Sequence, residues 1–141
     1  MYDFLLIIHF LGLALGVGTS FAMLTLGIAT RNLAGEERLK FFRTASALSK
    51  NGSVGLALLI LSGLGFLLVK GPGSVFAWGG GLFHAKLTLV LILAGLFGYS
   101  QVLQKRVRQG NTALMATLPK LGRVMLLVSI CIVICAVLAF H

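Results

Sequence analysis

Carboxylates are nearly missing from this sequence. Asp3, Glu36 and Glu37 are the three acidic residues among 141. No buried carboxylate pair can be assembled for general acid–base chemistry from so few. Charge of either sign is sparse, at 11% Asp, Glu, Lys and Arg, where a soluble domain carries roughly a quarter. That excludes an ordinary water-soluble fold. Cysteine is limited to Cys131 and Cys135. At i and i+4 of one helix they do not meet in relaxed disulfide geometry, they are not a CxxC, and no zinc-type cluster accompanies them. They read as small, inert apolar side chains. A phosphate-binding glycine loop and a nucleophile elbow are also absent. Any enzymatic activity would therefore come from a bound cofactor. Met1-Tyr2-Asp3 lacks the basic region of a signal peptide, and the apolar run that follows is too long for one. The first helix is expected to be retained.

What is abundant is apolar. The chain is 58% hydrophobic, with a mean hydropathy of +1.03. A span needs about 20 apolar residues to cross ~30 Å of hydrocarbon. Phe4–Ala29, Ser53–Val69, Leu82–Leu103 and Leu121–Phe140 all qualify. With amphipathic extensions, the predicted helices are about 4–29, 39–69, 82–103 and 112–140, in a single transmembrane domain. The expected fold is all-α, a polytopic membrane four-helix bundle. Segment RNLAGEERLKFFRTASALSKN stops one helix near Gly35 and restarts at Glu36. Leu39, Phe42 and Ala45 form its apolar stripe. Either the second membrane helix begins early here, or a separate helix lies in the interface. KGPGSVFAWGGGLF reads as a turn-rich loop with Trp78 at the membrane interface. Gly110-Asn111 reads as a break and Pro119 as a kink or restart.

The net charge of +9 does not point to nucleic acid, because the basic residues lie between the apolar runs. Arg31, Arg38, Lys40, Arg43 and Lys50 occupy one connecting segment, and Lys105, Arg106, Arg108, Lys120 and Arg123 another. By the positive-inside rule both face the cytoplasm. The expected topology is N-out and C-out, multi-pass, in a bacterial inner (cytoplasmic) membrane. The lipid bilayer is a partner by composition, with headgroup contacts from these loops.

Phe83–Val102 stands out because ionisable residues mark its entrance. An ionisable side chain inside a membrane segment is costly, and so is a candidate functional residue. On a helix, His84, Thr88, Leu91, Gly95 and Gly98 share one small, mildly polar face suited to helix contact or a ligand. Lys86 falls nearly opposite, among Leu89, Val90, Leu93 and Phe97. His9 lies roughly 8 Å into the first helix. Gly12, Gly16, Thr19 or Ser20, and Met23 continue its face, and Gly12/Gly16 form a GxxxG that permits close helix approach or room for a flat ligand. The alternative is a histidine hydrogen-bonded to a neighbouring helix, with the glycines only for packing. Tyr99 and Gln101 read as packing near the cytoplasmic end, and His141 as solvent-exposed.

The two halves share a weak pattern. His9 precedes Arg31 by 22 positions and His84 precedes Lys105 by 21. As a parallel repeat, this sets the two histidines at equivalent depth on facing helices. Two neutral imidazoles across a bundle make an axial pair for haem iron. Haem is accordingly an expected cofactor, with His9 and His84 as candidate metal ligands. Its propionates would meet Lys86 and Lys70, the two cations outside the basic loops.

IIHFLGLALG in the first helix and W…LFHAKLTLVLILAGLFGY in the third resemble the small four-helix HemJ-type protoporphyrinogen oxidases and the related CopD-like copper-resistance membrane domains. An early histidine in the first helix and an H-x-K-L opening the third map to His9 and to His84, Lys86 and Leu87. The resemblance covers about half of the chain. It departs from the HemJ-type pattern at Phe21–Leu26, which lacks the Pro-Arg usual there. It also departs in the third helix, where Phe97 and Tyr99 alone stand for the usual aromatic and histidine residues. The resemblance implies a haem-b-binding redox protein passing electrons between a porphyrin-like or other small substrate and the quinone pool. The competing expectation is a non-redox protein: a small subunit of a larger membrane complex, a homo-oligomer, or a solute- or copper-handling membrane protein.

Overall fold

A computed structural model describes residues 1–139, except for the side chains at positions 72, 75, 76, 78, 79 and 139. The expectations for Trp78 and His141 therefore lie outside the described residues. The chain forms α1 (Tyr2–Ala29), α2 (Gly35–Ala45), α3 (Leu48–Lys70), α4 (Pro72–Arg108), a 3₁₀ turn (Thr112–Ala116) and α5 (Thr117–Ala139). Four stretches are long and apolar enough to cross a membrane: Tyr2–Ala29, Gly35–Lys70, Gly80–Arg108 and Thr112–Leu138. The protein is an all-α four-helix bundle.

The element boundaries follow local chemistry. Gly35 adopts φ +63 and opens α2, a conformation glycine takes without a Cβ clash. Ser46 and Ala47, both with helical backbone angles, link α2 to α3. The second span is thus almost continuous from its basic side. Segment 70–82 is helical rather than a turn-rich loop. Gly71, at φ 77, makes the connection, and Pro72 starts α4, where its fixed φ suits a first helical position. The break expected of this glycine-rich stretch is concentrated at Gly80, with φ 51 and ψ −152. Beyond α4, Gly110 at φ 108 turns the chain into the 3₁₀ turn.

The helices associate as two tight pairs. α1 packs against α3 and α4 against α5, while lesser contacts join α1 to α5 and α3 to α4. Glycine explains the first pair. A methyl group added at Gly55 would come within 2.6 Å of Gly16 N and 2.8 Å of Gly12 O. Backbones can approach so closely only where side chains are missing. Polar bonds tie α4 to α3 and to the α2–α3 link near the basic loops: Arg108 donates to Ser46 Oγ of the link at 2.8 Å, and Gln101 Nε2 to Ser49 Oγ of α3 at 2.7 Å. One turn further in, Gly52 leaves room for the Phe97 ring.

This pairing corrects two expectations. The first and third spans, α1 and α4, are not a principal packing pair among the described residues. The glycine face of α4 does not look into the bundle either. His84, Thr88, Leu91, Gly95 and Gly98 are all exposed, and a Cβ at Gly95 or Gly98 would meet nothing within 4 Å. The small residues of α1 have a matching glycine on α3, whereas Gly95 and Gly98 of α4 have no such counterpart among the described residues.

Candidate functional site

Between the two helix pairs lies a cavity of about 1400 Å³ that is partly open to the outside. This exceeds the roughly 300–1,000 Å³ usual for small-molecule sites. His9, Phe66, Lys70 and Lys86 line it at the end away from the basic loops, and Leu87, Val90 and Phe97 continue its α4 wall. α1 presents Gly16, Thr19, Ser20 and Met23 to the same space, the face that helical spacing assigns to His9.

His9 is held from α3. Its Nδ1 lies 2.8 Å from Ser62 Oγ. The Ser62 hydroxyl lies 2.6 Å from Leu58 O and 3.2 Å from Leu59 O. A hydroxyl has one proton, and these carbonyls take it. In the arrangement with that proton on the carbonyls, Ser62 Oγ accepts from His9 Nδ1–H, and Nε2 keeps the lone pair of the neutral ring. A metal-binding histidine commonly has its other ring N–H fixed in this way. Phe66 packs edge-on against the imidazole, with centroids 5.8 Å apart, and Tyr2 stacks tilted on Phe66 at 5.3 Å. Ser62 is only 1% exposed, so the anchor is rigid.

The structure brings Lys86 to His9 and not His84. Lys86 is partly buried and lines the same cavity as His9. Lys70 lines the same end. It is exposed, with Nζ 4.9 Å from the centre of the Tyr2 ring. His84 is exposed and does not line the cavity. Its Nδ1 bonds Gly80 O at 2.9 Å, and its ring meets Phe83 edge-on at 6.3 Å. The expectation of His9 and His84 facing each other across the bundle is therefore corrected. The helical phase that sets Lys86 opposite His84 holds, and the bundle has chosen the lysine's face.

The residues fit a haem-like ligand in part. One imidazole is oriented, a ring-lined apolar space adjoins it, and two cations stand beside it. Among the described residues, one histidine, rather than two, lines this space. Among the described residues no group of three or more His, Cys, Asp or Glu gathers to hold a bare metal ion. Cys131 is exposed and Cys135 half-buried, both as free thiols.

Sequence reasoning passed over Ser62, although it is a lone hydroxyl within the apolar run LLILSGLG. It also passed over Ser49 and Gln104. Gln101, expected to pack, is a hydrogen-bond donor to Ser49. Comparison with protein-family models, curated proteins and solved structures finds no match.

Proposed function

We propose that this is an integral membrane haem-b-binding redox protein, in which His9, rather than His84, ligates the iron. The observation that carries this reading is the His9–Ser62 pair. It holds the imidazole in one orientation with Nε2 available, at the wall of a cavity large enough for a macrocycle. Lys86, from the opposite helix pair, and Lys70 supply positive charge where propionates would lie. Bound haem would supply reversible one-electron chemistry at the iron. The chain would fix the imidazole, shield the ring with Phe66 and Leu87, and neutralise the carboxylates. Electron exchange with the quinone pool and a porphyrin-like or other small substrate completes the proposal.

The topology belongs to the same proposal. Both basic segments meet at one end of the bundle, as the Arg108–Ser46 bond requires. With that end cytoplasmic, both termini and the His9 end face outward, in a bacterial inner membrane.

Protein purified after haem-replete expression should be red, with a Soret band that moves on reduction. His9→Ala should abolish the band, and His84→Ala should leave it in place. Colourless wild-type protein would favour a non-redox subunit or a solute- or copper-handling role. A band lost equally in both variants would restore the two-histidine arrangement.

A further inference from the structure

The cavity runs well beyond the His9 end, and its other end has a different chemistry. Arg31 follows α1, Arg38 lies on α2 and Arg123 on α5, and all three line the same cavity. Phe41 and Phe42 of α2 line it beside them. No Asp or Glu is among the described residues that line this space. Three separate elements thus deliver cations to the mouth of an apolar chamber.

A second observation comes from inside. Gln104, on α4 one turn before Arg108, is 9% exposed and lines the cavity. Its Nε2 lies 3.4 Å from Ser49 Oγ, and its Oε1 is buried with no hydrogen-bond partner. Turning the amide over does not remove the deficit. Oε1 could then accept from the Ser49 hydroxyl, and the buried Nε2 would be the atom left over. A buried polar atom without a partner costs about 1–3 kcal/mol, so a group within the cavity is expected to meet it.

We propose that this basic end is a binding site for an anionic phospholipid held inside the bundle. The phosphate lies among Arg31, Arg38 and Arg123. The acyl chains enter the apolar chamber between the helix pairs. Gln104 Oε1 accepts one hydrogen bond from a headgroup hydroxyl or, with the amide turned over, Nε2 donates one to an ester or phosphate oxygen. Basic pockets between membrane helices bind anionic headgroups on general electrostatic grounds. Here the site goes further than headgroup attraction at a surface, because the chains have an interior space of their own. The proposal does not depend on haem, which would occupy the opposite end.

Native mass spectrometry of the full-length protein from mixed micelles provides the test, with phosphatidylglycerol, phosphatidylcholine or inorganic phosphate as the probe. Phosphatidylglycerol should be retained in preference to phosphatidylcholine, and inorganic phosphate should not displace it. Combined Arg31→Gln, Arg38→Gln and Arg123→Gln should weaken retention about a hundredfold, taking about fivefold for each cation near the surface. Gln104→Leu should weaken it about fivefold, as expected for one net hydrogen bond. Lys105→Gln with Arg106→Gln removes two exposed cations from the last turn of α4 that do not line the cavity, and should change retention little. His9→Ala should not change it. Equal loss in the Lys105/Arg106 variant would reduce the effect to general surface charge and overturn the proposal. So would equal retention of phosphatidylcholine. Displacement by inorganic phosphate would mark a free-phosphate site and overturn the lipid assignment. Circular dichroism melts of each variant separate a lost lipid from a lost fold.

Discussion

His9 on α1 and Ser62 on α3 are joined through Nδ1 and Oγ at 2.8 Å, with the Ser62 proton already committed to the backbone of its own helix. With that proton on the backbone, the serine accepts and the imidazole donates from Nδ1. A single hydroxyl thus selects which ring nitrogen faces outward from the contact.

Ser62→Ala removes that acceptor and leaves helix α3 otherwise intact. We expect haem affinity to fall about 10–100-fold, the usual cost of losing a partner behind a metal-bound histidine. Haem titration of the apoprotein followed at the Soret band measures this. Identical affinity in wild type and variant would remove Ser62 from the site.

Lys86→Met keeps length and loses charge. Haem retention should drop or the midpoint potential should shift. Lys70→Met should have the smaller effect, because Lys70 is exposed while Lys86 is partly buried in the cavity wall. Redox titration of both variants decides the order. Unchanged occupancy and potential in Lys86→Met would mean that this lysine only reaches for lipid phosphate.

The α1–α3 contact gives a stability prediction. Gly55→Ala should destabilise by about 1–3 kcal/mol, the range for forcing atoms into a packed contact. Gly95→Ala should be neutral or stabilising by up to about 1 kcal/mol, as for glycine replaced in an exposed helix. Its added methyl meets nothing within 4 Å. Thermal unfolding in detergent distinguishes them. Equal melting of the two variants would contradict the close approach of Gly55 to Gly16.

Topology is checked with C-terminal reporters. A periplasm-dependent phosphatase fused after His141 should be active, and a cytoplasm-dependent fluorescent reporter at the same place dark. The reverse pattern would invert the protein, and with it the side from which the His9 end is reached.

The spans were legible because membrane-length apolar runs carry their own signal. The helical phases were legible too, since spacing alone separates His84 from Lys86 and puts Gly12, Gly16 and His9 together. The choice between the two faces of α4 was not. It depends on which helices pair, and that is decided by Gly55, a residue with no distinguishing neighbours in sequence. The apparent repeat drew His9 and His84 into equivalence, whereas the glycine contact binds α1 to α3 and leaves α4 to α5. The helical backbone of 72–80 was masked by glycine-rich composition, because one residue, Gly80, suffices for the break. Ser62 and Gln104 could be read as polar residues in apolar runs, but their bonding depends on helices distant in sequence.

Close contact within each pair and open space between them make this bundle mechanically uneven. Compression would move the pairs toward each other as nearly stiff bodies, with little change in helix content. Volume is then the property that registers whether the interior is filled. Under hydrostatic pressure, which acts on internal void, an emptied bundle yields by closing its gap, and a filled one resists.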